Sequence, residues 1–323
     1  MCSKPPCFKE GRANKMDTGC YEIDRSDPRF PARVLELADP PKKLYVRGDI
    51  DLLSKPALSI IGARCASPYG LAIAEIAATI AAQSDICVVS GGAKGCDQAA
   101  GRSVLAAGGK HVVVLGCGAD VVYPRSSKSL IDLTLAQGGA IVSLDPWGTP
   151  PRKYAFPRRN RIIAALGTAL CITEAGLPSG TFSTAETAIE LGREIFAIPG
   201  SIFSPESRGT NYLIANGACC IADEDSLEMA ISRVFGKLRM FRDRSHDPLK
   251  ERSALEQRIL HAVTANPMTM NELSLFLNLD SVETLQTMSG LMVDGFVERL
   301  LDGRFAPSKE FLQASSAIMH NTT

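Results

Sequence analysis

No apolar run in this chain approaches the roughly 20 residues that a helix needs to cross a bilayer. The opening stretch, MCSKPPCFKEGRANK, lacks the apolar segment that a secretory signal carries. Together these absences point to a cytoplasmic protein without a membrane partner. Ten cysteines are present, yet no CxxC pair occurs. Cys65, Cys87, Cys96, Cys117 and Cys171 lie on or beside candidate strands and read as buried free thiols, so neither zinc nor disulfides are expected. Net charge is lacking too, 35 Lys and Arg against 35 Asp and Glu, so the molecule as a whole offers nucleic acid no general attraction. Four histidines scattered from His111 to His320 suggest no Ser-His-Asp or Cys-His arrangement. The dinucleotide fingerprint GxGxxG is missing after the first strand, and so is a Walker GKT or GKS. A nicotinamide or ATP enzyme is therefore not expected, and no cofactor is assigned.

What is present is an alternation of strand and helix. Hydrophobic residues make up 45% of the 323 and charged residues 22%, enough for a sizeable core. Residues 1–26 have no periodicity and read as a loose N-terminus. Residues 27–56 read as a lead-in, with a short helix at Ala32–Leu37 and an extended piece at Leu44–Val46. Buried strands then follow at 57–61, 86–89, 111–115, 140–143 and 169–173, with helices between them, and 218–221 is a candidate last strand. This pattern predicts an α/β fold, a Rossmann-like doubly wound, mainly parallel sheet over residues 27–232.

In such a sheet, ligands bind at the carboxyl ends of the strands. Those ends carry Gly62-Ala63-Arg64, Ser90-Gly91-Gly92 with Lys94, Gly116-Cys117-Gly118 and Ser179-Gly180-Thr181. Close by, residues 150–161 hold five cations and no acid, including Arg158, Arg159 and Arg161 around Asn160. Glycine turns, hydroxyls at a helix start and guanidinium groups together suit an anionic, phosphate-bearing ligand. Read alone, each turn is equally an ordinary strand-to-helix connection.

Residues 233–252 form a charged linker. Beyond it, 253–308 read as three short helices and a hairpin around Asp302-Gly303, a small C-terminal winged-helix domain, and 309–323 as a tail. Residues 253–308 contain three cations against seven acids, which disfavours phosphate contacts and favours a protein partner.

The segments SIIGARCASPYG, VVSGGAKGCDQAA, VVVLGCGADVVYP, FPRRNRIIAAL and SGTFSTAETAIELGREIFAIPGS, in this order, resemble the DprA/Smf family of bacterial DNA-processing proteins. The resemblance extends over about Asp27 to Asp223. It implies a non-catalytic homodimer that binds single-stranded DNA, protects it and loads the RecA recombinase during natural transformation. Carried over by position, it implies DNA contacts from Gly62, Arg64, Ser90, Gly91, Lys94, Arg158, Arg159, Asn160, Arg161, Ser179, Gly180 and Thr181. Phe156, or Tyr154, is a candidate for stacking a base. Lys94 and Cys96 depart from the arginine and isoleucine usual there, Gly101 from a histidine, and Asp145 stands near a usual glutamate. The family's helical N-terminal domain is expected to be absent.

A rival reading is a nucleotide phosphoribohydrolase. That group carries PGGxGTxxE, whereas this chain has Pro178-Ser179-Gly180-Thr181 with Glu174 and Glu186 nearby. A third reading is a protein scaffold with vestigial turns.

Overall fold

The computed structural model describes residues 19–237 and 252–316. The elements run β1 (Cys20–Asp24), α1 (Ala32–Leu35), β2 (Lys43–Gly48), β3 (Ala57–Ile61), α2 (Pro68–Gln83), β4 (Cys87–Ser90), α3 (Cys96–Ala106), β5 (His111–Leu115), α4 (Lys128–Ala136) and β6 (Ala140–Ser143). They continue with α5 (Ala155–Leu166), β7 (Ala169–Ile172), α6 (Thr181–Glu190), β8 (Glu194–Ala197), α7 (Arg208–Ala215), β9 (Cys219–Cys220) and α8 (Glu224–Phe235).

One nine-stranded sheet has the order β1-β2-β6-β5-β4-β3-β7-β8-β9. From β6 through to β9 all neighbours are parallel, as predicted. The inner strands β3, β4, β5, β6 and β7 are fully buried because both faces are covered, whereas β9 at the edge is partly exposed. In β3, Leu58 and Ile60 point into a core shared with α2, α3 and α8, while Ala57 and Ile61 point into a core shared with α5, α6 and α7. Ile60 is fully buried, a placement that stabilises by about 1.5–3 kcal/mol. Alanines on α2 let it lie close against α3.

The order of the sheet fixes the site. The chain winds outward from β3 through β4 and β5 to β6, then crosses back to lay β7 on the other side of β3. The connections that leave the paired carboxyl ends of β3 and β7 therefore run to opposite faces of the sheet, to α2 and to α6, leaving a crevice at the topological switch point.

Several expectations are corrected. Residues 20–24, expected loose, form β1, which pairs antiparallel with β2, and β2 pairs antiparallel with β6. The lead-in thus extends the sheet rather than only packing on it. Arg233, placed in the linker, lies on α8, where it bonds Glu194 at 2.7 Å. The rest of the linker from 238 to 251, residues 1–18 and residues 317–323 lie outside the described residues. Cys65 is exposed, whereas Cys87, Cys96, Cys117 and Cys171 are buried.

The C-terminal part has α9 (Ala254–Ala265), α10 (Met270–Leu277), α11 (Ser281–Val293), β10 (Val297–Arg299), β11 (Phe305–Pro307) and α12 (Lys309–Ser316). Ser253 and Thr269 each close a capping box with the glutamate three residues on, fixing the starts of α9 and α10. Gly303, at φ 88°, takes the left-handed conformation that the hairpin turn requires. α12 replaces the first part of the expected tail. Its Phe311 packs into the module's core, and Lys309 bonds Glu75 of α2 at 3.0 Å.

Candidate nucleic-acid interface

A cavity of about 460 Å³ opens at the switch point, between the turn after β3 and the start of α6. Gly62, Ala63 and Arg64 line one wall, and Ser179, Gly180 and Thr181 line the other. Arg159, Asn160 and Ile163 of α5 also line it. Arg64 is exposed, and its guanidinium carbon lies 5.6 Å from the centroid of the Phe156 ring.

The Ser-Gly-Thr turn is held from within and from α5. The Ser179 hydroxyl accepts from the Thr181 amide at 3.2 Å and donates to the Thr181 hydroxyl at 3.0 Å. Asn160 Nδ2 donates to the Gly180 carbonyl at 3.3 Å and to the Ser183 hydroxyl at 3.1 Å. A Cβ on Gly180 would meet nothing within 4 Å, and its φ of −63° suits any residue. Neither packing nor backbone conformation demands glycine there.

The cation run divides because it lies within α5, where successive residues point about 100° apart. Arg159 turns inward and is 4% exposed, donating from Nη1 to the Val114 carbonyl at 2.9 Å. Arg158 and Arg161 sit a turn apart on another face, beside Asp39 and Leu37. There Arg158 lies 3.6 Å from Asp145, and Arg161 reaches the Asp39 carbonyl at 3.4 Å. Arg158 and Arg161 do not line the switch-point cavity.

The turn after β4 is also spoken for. Asp97, buried at the start of α3, accepts from the Gly91 amide at 3.0 Å and the Ala93 amide at 3.4 Å, and the nearby Gly62 amide also favours its charged form. Burial pushes its carboxyl up, and the Arg159 charge pulls it back down. Burial likewise lowers Arg159, and Asp97 opposes that. A Cβ on Gly91 would fall 1.6 Å from Arg159 Nη1 and 2.7 Å from Asp97 Oδ2. Gly91 is glycine because two buried charges face each other across it. Ser90 is fully buried, its hydroxyl 2.9 Å from His111 Nε2. His111 Nδ1 lies 3.0 Å from the Thr134 hydroxyl, and burial lowers the imidazole pKa to about 3. A Cβ on Gly101 would sit 2.6 Å from the His111 ring, so the small residue at 101 makes room for this histidine.

Of the expected contact residues, the structure therefore gathers Gly62, Arg64, Asn160, Ser179, Gly180 and Thr181 around one cavity, with Arg159 forming part of its wall. Phe156 is half-buried beside Arg64. Lys94 is exposed on its turn but does not line the cavity. Ser90 and Gly91 have their polar groups committed internally, and Arg158 and Arg161 lie elsewhere. Asp97 was missed by sequence reasoning, although an acid at a helix start directly after a glycine turn is a legible sign of a group that gathers amides. Glu174, noted for the rival reading, caps α2 instead. It accepts from the Ser67 amide at 2.8 Å and from the Ser67 hydroxyl, and burial raises its pKa. Glu186 is exposed on α6 and does not line the cavity.

Residues 22–232 match the model of the DNA recombination-mediator protein A family, and the chain belongs to that family. Protein Smf of Escherichia coli is 37% identical over 198 residues, which is 61% of this chain and 53% of Smf, so the match spans about half of that relative's length. The crystal structure of DNA processing protein A from Streptococcus pneumoniae superimposes with a TM-score of 0.60 at 36% identity, covering 64% of this chain and 73% of that one. DNA processing protein A from Helicobacter pylori, whose structure concerns its mode of binding single-stranded DNA, gives a TM-score of 0.60 at 31% identity, covering 68% and 98%.

Proposed function

We propose that this chain binds single-stranded DNA at the switch-point cavity, without chemical conversion of it. The observation that carries the reading is the convergence of an exposed guanidinium, Arg64, with the unobstructed Gly180 backbone across one cavity. A phosphodiester fits between them, held by charge on one side and by close backbone approach on the other. The single-stranded ligand of the Helicobacter pylori relative supports this choice. Against the phosphoribohydrolase reading, both Glu174 oxygens are engaged in capping and Glu186 lies outside the cavity.

Within this reading, the chain protects incoming strands and loads RecA during natural transformation, acting as a homodimer in the cytoplasm. Among the described residues no helix is long and apolar enough to cross a membrane. The C-terminal module, proposed as a winged helix, takes a protein partner rather than DNA. Its α10 and α11 contain no Lys or Arg, and Leu275, Phe276, Val282, Leu285 and Val293 are exposed on them. Arg64→Ala tests the cavity. It should weaken single-strand binding for every sequence and lower the salt dependence by about one phosphate contact, with only a small change in melting temperature from the lost contact with Phe156. An unchanged affinity would reject the placement.

A further inference from the structure

The turn after β5 brings a second aromatic to the same sheet edge. Tyr123 is 43% exposed, and its ring centroid lies 5.7 Å from that of Phe156, tilted by 44°. Phe156 in turn lies beneath the Arg64 guanidinium at 5.6 Å. Its ring also closes over Gly116, where a Cβ would come within 3.0 Å. Arg64, Phe156 and Tyr123 therefore form a row that crosses from the turn after β3 to the turn after β5, along the carboxyl edge of the sheet. Arg125, exposed, follows two residues later. Along this row the rings are stabilised by one another and by the cation, but the Tyr123 ring keeps an open surface.

We propose that a single strand leaving the cavity passes over Arg64 and along this row, with one base stacked on Tyr123. The inference rests on the single-strand reading above and adds the direction of the strand and a contact to a base rather than to phosphate. Aromatic rings flanked by cations, here Phe156 and Tyr123 between Arg64 and Arg125, suit a sequence-tolerant single-strand path, because every base has a face to stack and every nucleotide a phosphate to neutralise. Phe156 serves mainly as the support, since it is half-buried against Gly116 and Tyr123.

The test titrates the whole chain and its Tyr123→Ala, Tyr123→Phe and Arg64→Ala variants with a labelled oligothymidylate and with a strand of equal length lacking bases. Tyr123 is exposed, so its replacement should leave the fold intact, and circular dichroism melting verifies each variant. Tyr123→Ala should weaken the intact strand roughly five- to a hundredfold, while Tyr123→Phe binds like the wild type. On the baseless strand, Tyr123→Ala and the wild type should bind equally. An affinity of Tyr123→Ala within about twofold of wild type on the intact strand, or an equal loss on both strands, overturns the row. A loss in Arg64→Ala without one in Tyr123→Ala leaves the cavity standing and overturns the row alone. Failure of the wild type to bind either strand overturns the single-strand reading and the row with it.

Discussion

Replacing Asp97 with Asn keeps the size of the side chain and removes its charge. In the structure this carboxylate receives the amides of Gly91 at 3.0 Å and Ala93 at 3.4 Å, while Arg159 faces it across Gly91. Asparagine offers one oxygen to those amides and turns an NH₂ group toward donors. It also leaves Arg159, 4% exposed, without a countercharge in the core. Breaking a buried charge pair costs about 3–5 kcal/mol. The two groups are not in direct ion-pair contact, so the lower end, about 3 kcal/mol, is expected. For a domain of this size that lowers the melting temperature by about 6–12 °C. Differential scanning calorimetry measures it. The double variant Asp97→Asn with Arg159→Met removes both charges and should recover most of the loss, since an apolar replacement of a buried pair is often neutral. A loss below about 1 kcal/mol in the single variant, or no recovery in the double, would refute the argument that the glycine turns are tied together by charge.

Two glycines should respond in opposite ways. Gly91→Ala drives a methyl into the Arg159 guanidinium and should destabilise the fold, whereas Gly180→Ala meets no atom within 4 Å and should melt as the wild type while losing single-strand affinity. Thermal melting paired with a binding titration separates them, and normal affinity in a folded Gly180→Ala would remove the close-approach argument. Asn160→Ala removes the tie from α5 to the Gly180 carbonyl and the Ser183 hydroxyl, which keep their bond to each other at 2.9 Å, and should weaken binding about tenfold with a smaller effect on stability. For His111, burial lowers the folded pKa from 6.5 to about 3, so the unfolded chain binds a proton there that the folded chain refuses. Stability from this residue is therefore present above pH 6.5 and declines as pH falls toward 3, by roughly 1.4 kcal/mol per unit. Glu174, raised by burial, acts in the opposite sense, because its folded form takes up a proton more readily as pH falls. Melting curves of wild type and His111→Asn across this range isolate the histidine, and parallel curves would contradict the assignment.

The inner parallel strands were legible because each is a short, mostly apolar run covered on both faces, and the glycine-bearing turns then had to meet at one edge. β1 was missed because Cys20–Asp24 is half exposed and paired only by a partner some 20 residues on, so it lacks the run of a core strand. α8 was missed because its start is acidic and polar and its end merged with a charged stretch. At the site, a line of cations in sequence suggested one patch. Folded as a helix, the same line sends Arg159 to the core, Asn160 to the Ser-Gly-Thr turn, and Arg158 and Arg161 to a separate face. Whether an arginine is a contact or a support depends on where its acid lies, and Asp97 is 62 positions from Arg159 in the chain. Ser90 looked available until His111, brought alongside by the neighbouring strand, took its hydroxyl.

The most direct measurement is a titration of the whole chain with a labelled single strand and its duplex at low and moderate salt. The account predicts tighter binding of the single strand, with an affinity that falls as salt rises because phosphate contacts release counterions. Equal or absent binding of the two at low salt would contradict it.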